Sequence, residues 1–161
     1  MADSTTGVAK VAELITDFRF AMLTTTSADG KLVARPMTVQ EAEFDGDLWF
    51  IAAHDSHEIA EIAANPVVGV SFASNDTWVS LSGTASEVTD SAKLNDLWNK
   101  WVEAWFPDGP GDPNVTLIKF TSESAEYWDT PGGRVASVLS FVKSKVTGDA
   151  YDGAENEKVE L

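Results

Sequence analysis

The chain has 161 residues with 43% hydrophobic composition, enough to bury about two thirds of its unfolded surface in one core without covalent staples. It contains no cysteine, which excludes a disulfide framework, a thiol nucleophile and a cysteine metal site, and which suits a reducing compartment. With 26 acidic against 11 basic residues, the formal charge of −15 opposes binding to nucleic acid or anionic lipid, both of which need basic surface.

The first element follows a polar leader over residues 1–7. Val8, Val11, Ala12, Ile15 and Phe18 recur at helical spacing and predict an amphipathic helix packed on a sheet. Residues 1–20 carry no arginine-rich start with an apolar core and no small-residue cleavage site, and no apolar run reaches spanning length. The expectation is a cytoplasmic protein that does not enter membranes. Phe20 to Thr26 and Lys31 to Gln40 are strand-like and are joined by Ser27-Ala28-Asp29-Gly30, an Asp-Gly hairpin signal. Asp45-Gly46 precedes the third strand, Leu48 to Ala52, so three consecutive antiparallel strands are expected.

A helix follows at about 56–64, closed by Asn65-Pro66, and two β-rich stretches, Val67 to Ala73 and Thr77 to Thr89, turn at Asn75-Asp76. Asp90 caps a predicted helix whose Leu94, Leu97, Trp98, Trp101 and Trp105 share one broad face. That stripe is read as core or subunit interface. Phe106 to Asn114 is a Pro- and Gly-rich loop, followed by two strand pieces, Val115 to Phe120 and Ser124 to Trp128. Val135, Val138, Leu139, Val142 and Val146 predict a helix over 134–146, with a polar acidic segment over about 149–161. No repeat or long linker divides the chain, so 1–161 reads as a single domain. Hairpin strands with helices between them predict a mainly β, α+β fold, a small antiparallel barrel with helical cover.

The stretch with most chemical content is the strand-to-helix turn Asp55-Ser56-His57-Glu58. A helix start leaves backbone N–H groups unpaired, so it can receive a phosphate. Asp55 followed three residues later by Glu58 is equally a capping box that would satisfy those groups itself. Arg35 alternates with Val33, Met37 and Val39, so it shares a face with apolar neighbours, where it pairs with a carboxylate, reaches to the rim, or meets an anion. Pro36 cannot donate to a ladder and places this strand at an edge or bulge. His54 and His57 lack a third ligand pattern, so no metal is expected, and no Gly-x-Ser-x-Gly elbow surrounds a serine. No side chain is nominated as a catalytic acid, base or nucleophile.

Taken together, Phe20-Ala21-Met22-Leu23-Thr24-Thr25, Ala34-Arg35-Pro36-Met37, Trp49-Phe50-Ile51, the Asp55-Ser56-His57 turn with Asn65-Pro66, Trp105-Phe106-Pro107 with Asp112-Pro113, Tyr127-Trp128-Asp129 and Val159-Glu160-Leu161 resemble a known family. It is the general stress protein branch of the pyridoxamine 5'-phosphate oxidase-like, FMN-binding split barrels. The resemblance implies a six- to seven-stranded antiparallel split barrel with flanking helices. It also implies a homodimer with flavin mononucleotide, or alternatively FAD or a deazaflavin, in a cleft at the subunit interface. Arg35 would then reach the phosphate, and Pro36 and Met37 would run beside the flavin ring. Ile51, Ala52 and Ala53 would lay backbone along it, Ser56 and His57 would face the phosphate, and Trp78 would come from the other subunit.

Two positions depart from that pattern: Glu58 stands where a cation is usual, and Gln40 where the oxidases carry a lysine. Two unit charges about 4 Å apart interact by about 4 kcal/mol at an effective dielectric near 20, so reversing one sign is a large change. The C-terminal arginine and histidine substrate motif of the oxidases is missing, Arg134 being the only basic residue between Trp128 and Val142. Pyridoxamine phosphate oxidase activity itself is therefore not expected. Two functions stay open: a flavin-dependent oxidoreductase with a small-molecule substrate, and a noncatalytic, stress-related dimeric protein that has lost tight flavin binding.

Overall fold

The computed structural model describes residues 4–40, 43–130, 142–143, 145–148 and 155–161. In chain order the elements are α1 (Ser4–Ile15), β1 (Phe20–Thr26), β2 (Leu32–Thr38), β3 (Asp47–Ala53), α2 (His57–Ala64), β4 (Val67–Ala73), β5 (Thr77–Val88), α3 (Ser91–Leu97), α4 (Lys100–Trp105), β6 (Val115–Asp129) and β7 (Glu155–Glu160). Among the described residues, all seven strands join one antiparallel sheet in the order β2-β1-β4-β5-β6-β3, with β7 also on β6. This is the mainly β architecture with helical cover that the sequence patterns predict, and the split barrel that the family resemblance implies.

The β1–β2 hairpin forms as expected. Gly30, at φ +81, takes the left-handed position in the turn, and the Ser27 N–H donates to the Lys31 carbonyl at 2.8 Å. β2 ends the strand order, so Pro36 occupies an end strand, where a missing donor is tolerated. The expectation of three consecutive antiparallel strands fails at β3, which pairs with β6 from Asp47↔Thr121 to Ala53↔Val115. Its composition accounts for this. β3 is apolar on both faces: Leu48, Phe50 and Ala52 enter the main core, while Trp49 and Ile51 pack on a second cluster built on Leu94, Leu97, Val115 and Leu117. A hairpin with the exposed β2 would not bury both.

β6 is one continuous strand of 15 residues where the sequence suggests two pieces. One of its edges is shared: residues 115–121 pair with β3, and residues 124–129 with β7. The register slips between Ser82 and Gly83, opposite Ser124 and Ser122, leaving Glu123 as the extra residue of a bulge. Residues 155–160, polar in sequence, form β7, and Val159 is buried against α1 at Gly7. Most of the predicted 134–146 helix lies outside the described residues; 142, 143 and 145–146 are helical.

The main core gathers Leu23, Phe50, Val70, Val79, Leu81, Ile118 and Phe120, closed by Val11 and Ile15 of α1. Phe18 sets its ring edge-on to Phe72 with centroids 5.4 Å apart. The long tryptophan helix is broken: Trp98 is extended (φ −65, ψ 133), and the Asn99 side chain accepts from the N–H groups of Trp101 and Val102 to start α4. The break parts the stripe. Trp98 packs on Phe106, whereas Trp101 and Trp105 are 60% and 77% exposed.

Tyr127 ties β7 to the sheet, its hydroxyl donating to Glu157 at 2.9 Å. Burial, followed by that hydrogen bond and the nearby carboxylates, raises its pKa to about 12. The unfolded chain loses this proton near pH 10 while the folded chain keeps it, so the contribution is complete below pH 10 and is lost as pH rises toward 12. We expect the urea midpoint to fall more steeply between pH 10 and 12 in the natural protein than in Tyr127→Phe. Equal slopes for both proteins would contradict this assignment.

Candidate functional site

β3 runs out at Ala53 and the chain turns through Ser56, the N-cap of α2, at φ −73 and ψ 157. The capping box of the sequence reading does not form. Ser56 makes no side-chain cap bond, and the Asp55 carboxylate accepts instead from Asn114 Nδ2 at 3.1 Å, while Asn114 Oδ1 accepts from the Asp55 N–H at 3.2 Å. Among the described residues, the Glu58 carboxylate has no hydrogen-bonding or ionic partner. Among the described residues the Ser56 hydroxyl, which is buried, also has no hydrogen-bond partner. A buried hydroxyl left unpaired at a helix start costs about 1–3 kcal/mol unless something meets it.

Ser56 forms a wall between two spaces. On one side is a cavity of about 300 Å³, lined by Pro36, Met37 and Thr38 of β2, Ile51, Ala52 and Ala53 of β3, and Glu58 of α2. Phe20, Gln40, Val102, Trp105 and Phe106 complete it. On the other side lies a hollow of about 480 Å³ lined by Ser27, Asp29, Asp55, His57, Ala60 and Glu61. The cavity is mostly apolar, and Glu58 is its one titratable group among the described residues. The hollow is acidic; the Ser27 hydroxyl, and then Lys31, hold the Asp29 carboxyl below its ordinary pKa.

The sequence-predicted residues divide accordingly. Pro36, Met37, Ile51, Ala52, Ala53 and Ser56 line the cavity together. His57 lies exposed on the hollow, and Trp78, on β5 between Ala73 and Trp128, lines neither space. Of the three partners open to Arg35, the structure selects the carboxylate: Nη2 donates to Glu61 at 2.9 Å and Nη1 to the Thr25 hydroxyl at 2.8 Å. Gln40 is buried, accepting from Asn99 Nδ2 at 3.0 Å and donating to the Thr38 carbonyl at 3.2 Å. His54 pairs with Glu87 rather than with His57. Among the described residues, no cluster of three histidines, cysteines or carboxylates could hold a metal, and no helix is long and apolar enough to cross a membrane.

Sequence reasoning missed the far wall, which comes from Phe20, Val102, Trp105 and Phe106. The available signal was Trp105-Phe106-Pro107, but a continuous helix would turn that stripe toward one face. Only the break at Asn99 brings the end of α4 over β2 and β3. A second apolar space of about 400 Å³ adjoins the first across Phe20, Thr38 and Trp105, and in it Arg19 sits 4.5 Å above the Trp101 ring. Phe20, Trp101 and Trp105 are exposed in the single chain.

Residues 6–152 match the family model described as pyridoxamine 5'-phosphate oxidase like. Protein bli-3 of Neurospora crassa is 31% identical over 150 residues, which cover 86% of this chain and 72% of that protein. A candidate general stress protein 26 from Jannaschia sp. CCS1 superposes with a TM-score of 0.80 at 30% identity, covering 100% of both chains. The general stress FMN/FAD binding protein of Xanthomonas citri is 33% identical with a TM-score of 0.66, over 76% of this chain and 87% of that one. This chain belongs to the pyridoxamine 5'-phosphate oxidase-like family, in its general stress protein branch.

Proposed function

We propose that this protein binds a flavin, FMN in the first place, with the ring system in the cavity between β2, β3 and α4 and the phosphate end toward Ser56. The observation that carries this reading is the junction of the apolar cavity with an unpaired, buried hydroxyl at the start of α2. The chemistry of the residues fits the ring. A planar, mostly apolar group is received by Pro36, Met37, Ile51 and Phe106 and shielded from water, and a small number of polar groups fixes its direction. The similarity to the Xanthomonas citri flavin-binding protein supports the same ligand class.

When bound, the flavin supplies the redox chemistry, so the proposed activity is oxidoreduction and the chain's part is to bind and orient. Glu58 is the carboxylate that would share the cavity with the ring. The proposed working form is a cytoplasmic homodimer, since Phe20, Trp101 and Trp105 leave an apolar surface beside the cavity that a second copy would cover. One observation favours the second function, a noncatalytic stress-related binding protein: among the described residues, the one acidic or basic side chain lining the cavity is Glu58, a carboxylate with no ionic partner. Purified protein is expected to be yellow, to release a flavin on denaturation that mass spectrometry identifies as FMN, and to quench added FMN fluorescence on titration. Release of FAD or a deazaflavin would change the named cofactor. Colourless protein that also leaves FMN fluorescence unquenched would overturn the flavin reading in favour of the second.

A further inference from the structure

The guanidinium of Arg35 is held by partners within the chain. It spends Nη2 on Glu61 at 2.9 Å, and Nη1 on the Thr25 hydroxyl at 2.8 Å and the Leu23 carbonyl at 3.4 Å. The Thr25 hydroxyl in turn donates to the same Glu61 oxygen. All three side chains are shielded: Arg35 and Glu61 are 18% and 14% exposed, and Thr25 is fully buried. An ion pair held in low dielectric with a third hydrogen-bonded partner is not surrendered cheaply, because each charge loses water and needs the other.

Position matters as much as strength. Glu61 lines the hollow next to Ser56, and Arg35 does not. An anion coming to Ser56 therefore meets the carboxylates of Glu61 and Asp55, the Asp29 carboxylate already paired with Lys31 at 3.0 Å, and the exposed His57 ring, rather than the arginine, and Glu58 stands on the cavity side. The unpaired Ser56 hydroxyl and the first N–H groups of α2 favour a phosphate, while these carboxylates oppose it.

We infer that the site holds its flavin by the ring system rather than by the phosphate, and that Glu61 sets this preference by neutralising Arg35. Riboflavin and FMN are then taken about equally, and the ligand class is the isoalloxazine with or without its phosphate. Glu61 is a specificity-determining residue that touches no ligand ring. The inference rests on the flavin reading above.

The test is a pair of fluorescence titrations, FMN against riboflavin, on the natural protein freed of ligand and on Glu61→Gln. The substitution keeps an acceptor oxygen for Thr25 and removes the charge. For the natural protein the two dissociation constants should agree within about fivefold, and Glu61→Gln should tighten FMN by about tenfold or more while leaving riboflavin unchanged. A natural preference for FMN of about a hundredfold would overturn the inference, as would weaker FMN binding in Glu61→Gln, which would make Glu61 an orienting partner of Arg35. If Glu61→Gln does not fold, the ratio measured on the natural protein decides alone. If the natural protein and the variant bind neither flavin, the flavin reading falls, and inorganic phosphate separates the two claims. Phosphate-dependent thermal stabilisation of Glu61→Gln but not of the natural protein upholds the role of Glu61, and equal responses reject it.

Discussion

Gly83→Ala should destabilise the fold by about 3 kcal/mol or more, read as a large fall in the urea midpoint or as loss of soluble protein. A Cβ at this position would lie 2.0 Å from the Thr121 carbonyl oxygen, 3.0 Å from its carbon and 3.1 Å from Phe120 Cζ. The first two obstacles are backbone, which cannot swing aside as a side chain does. The location increases the cost. Gly83 faces the bulge where β6 passes from β3 to β7: Asp47↔Thr121 ends one pairing, and Ser124↔Glu160 begins the other. Between them, the Ser122 N–H donates to Gly46 at 2.8 Å, and the Glu123 carbonyl accepts from Leu161 at 3.0 Å. Relief of the clash must push β5 away from β6, and with it the junction of three pairings. A midpoint unchanged from the natural protein would show that the close approach is not structural.

Phe50→Ala should cost about 3–5 kcal/mol, equivalent to a fall in melting temperature of roughly 6–20 °C for a chain of this size. Phe50 is fully buried at the middle of β3, opposite Ile118, among Leu23, Phe120 and Leu81 in the main core. Truncation removes a ring and leaves a void that the surrounding strands fill only in part. The residue also lies on the same face of β3 as Ala52, at the floor of the candidate cavity, so flavin affinity should fall with stability. Phe50→Leu, which restores most of the volume, is expected to recover more than half of the loss. If Phe50→Ala unfolds within about 1 kcal/mol of the natural protein, the core is not organised around this ring.

Local patterns in the chain were sufficient for most elements. The α1 face, the Gly30 hairpin, the β4–β5 pair and the start of α2 all follow from side-chain period and turn chemistry, which act over a few residues. The motif set also carried the family and the inner wall of the site, Pro36, Met37, Ile51 to Ala53 and Ser56. What failed did so for a common reason. Polar Glu155 to Glu160 reads as solvated tail because its strand character depends on the free edge of β6, over 25 residues away in sequence. The tryptophan stripe reads as one helix because a periodic pattern does not register that Asn99 can cap a new one.

By itself, then, the sequence determined the period of each segment, the turns and the absence of thiol chemistry, and the family resemblance grouped the residues of β2 and β3 that line the cavity. The tertiary structure decided which strands became neighbours, that the end of α4 closes the cavity, that Asp55 turns to Asn114, and that Arg35 is held by Glu61. These are contacts between residues 26 to 59 positions apart or more, and their partners are selected by burial and charge neutralisation after the chain has folded, which no local pattern encodes.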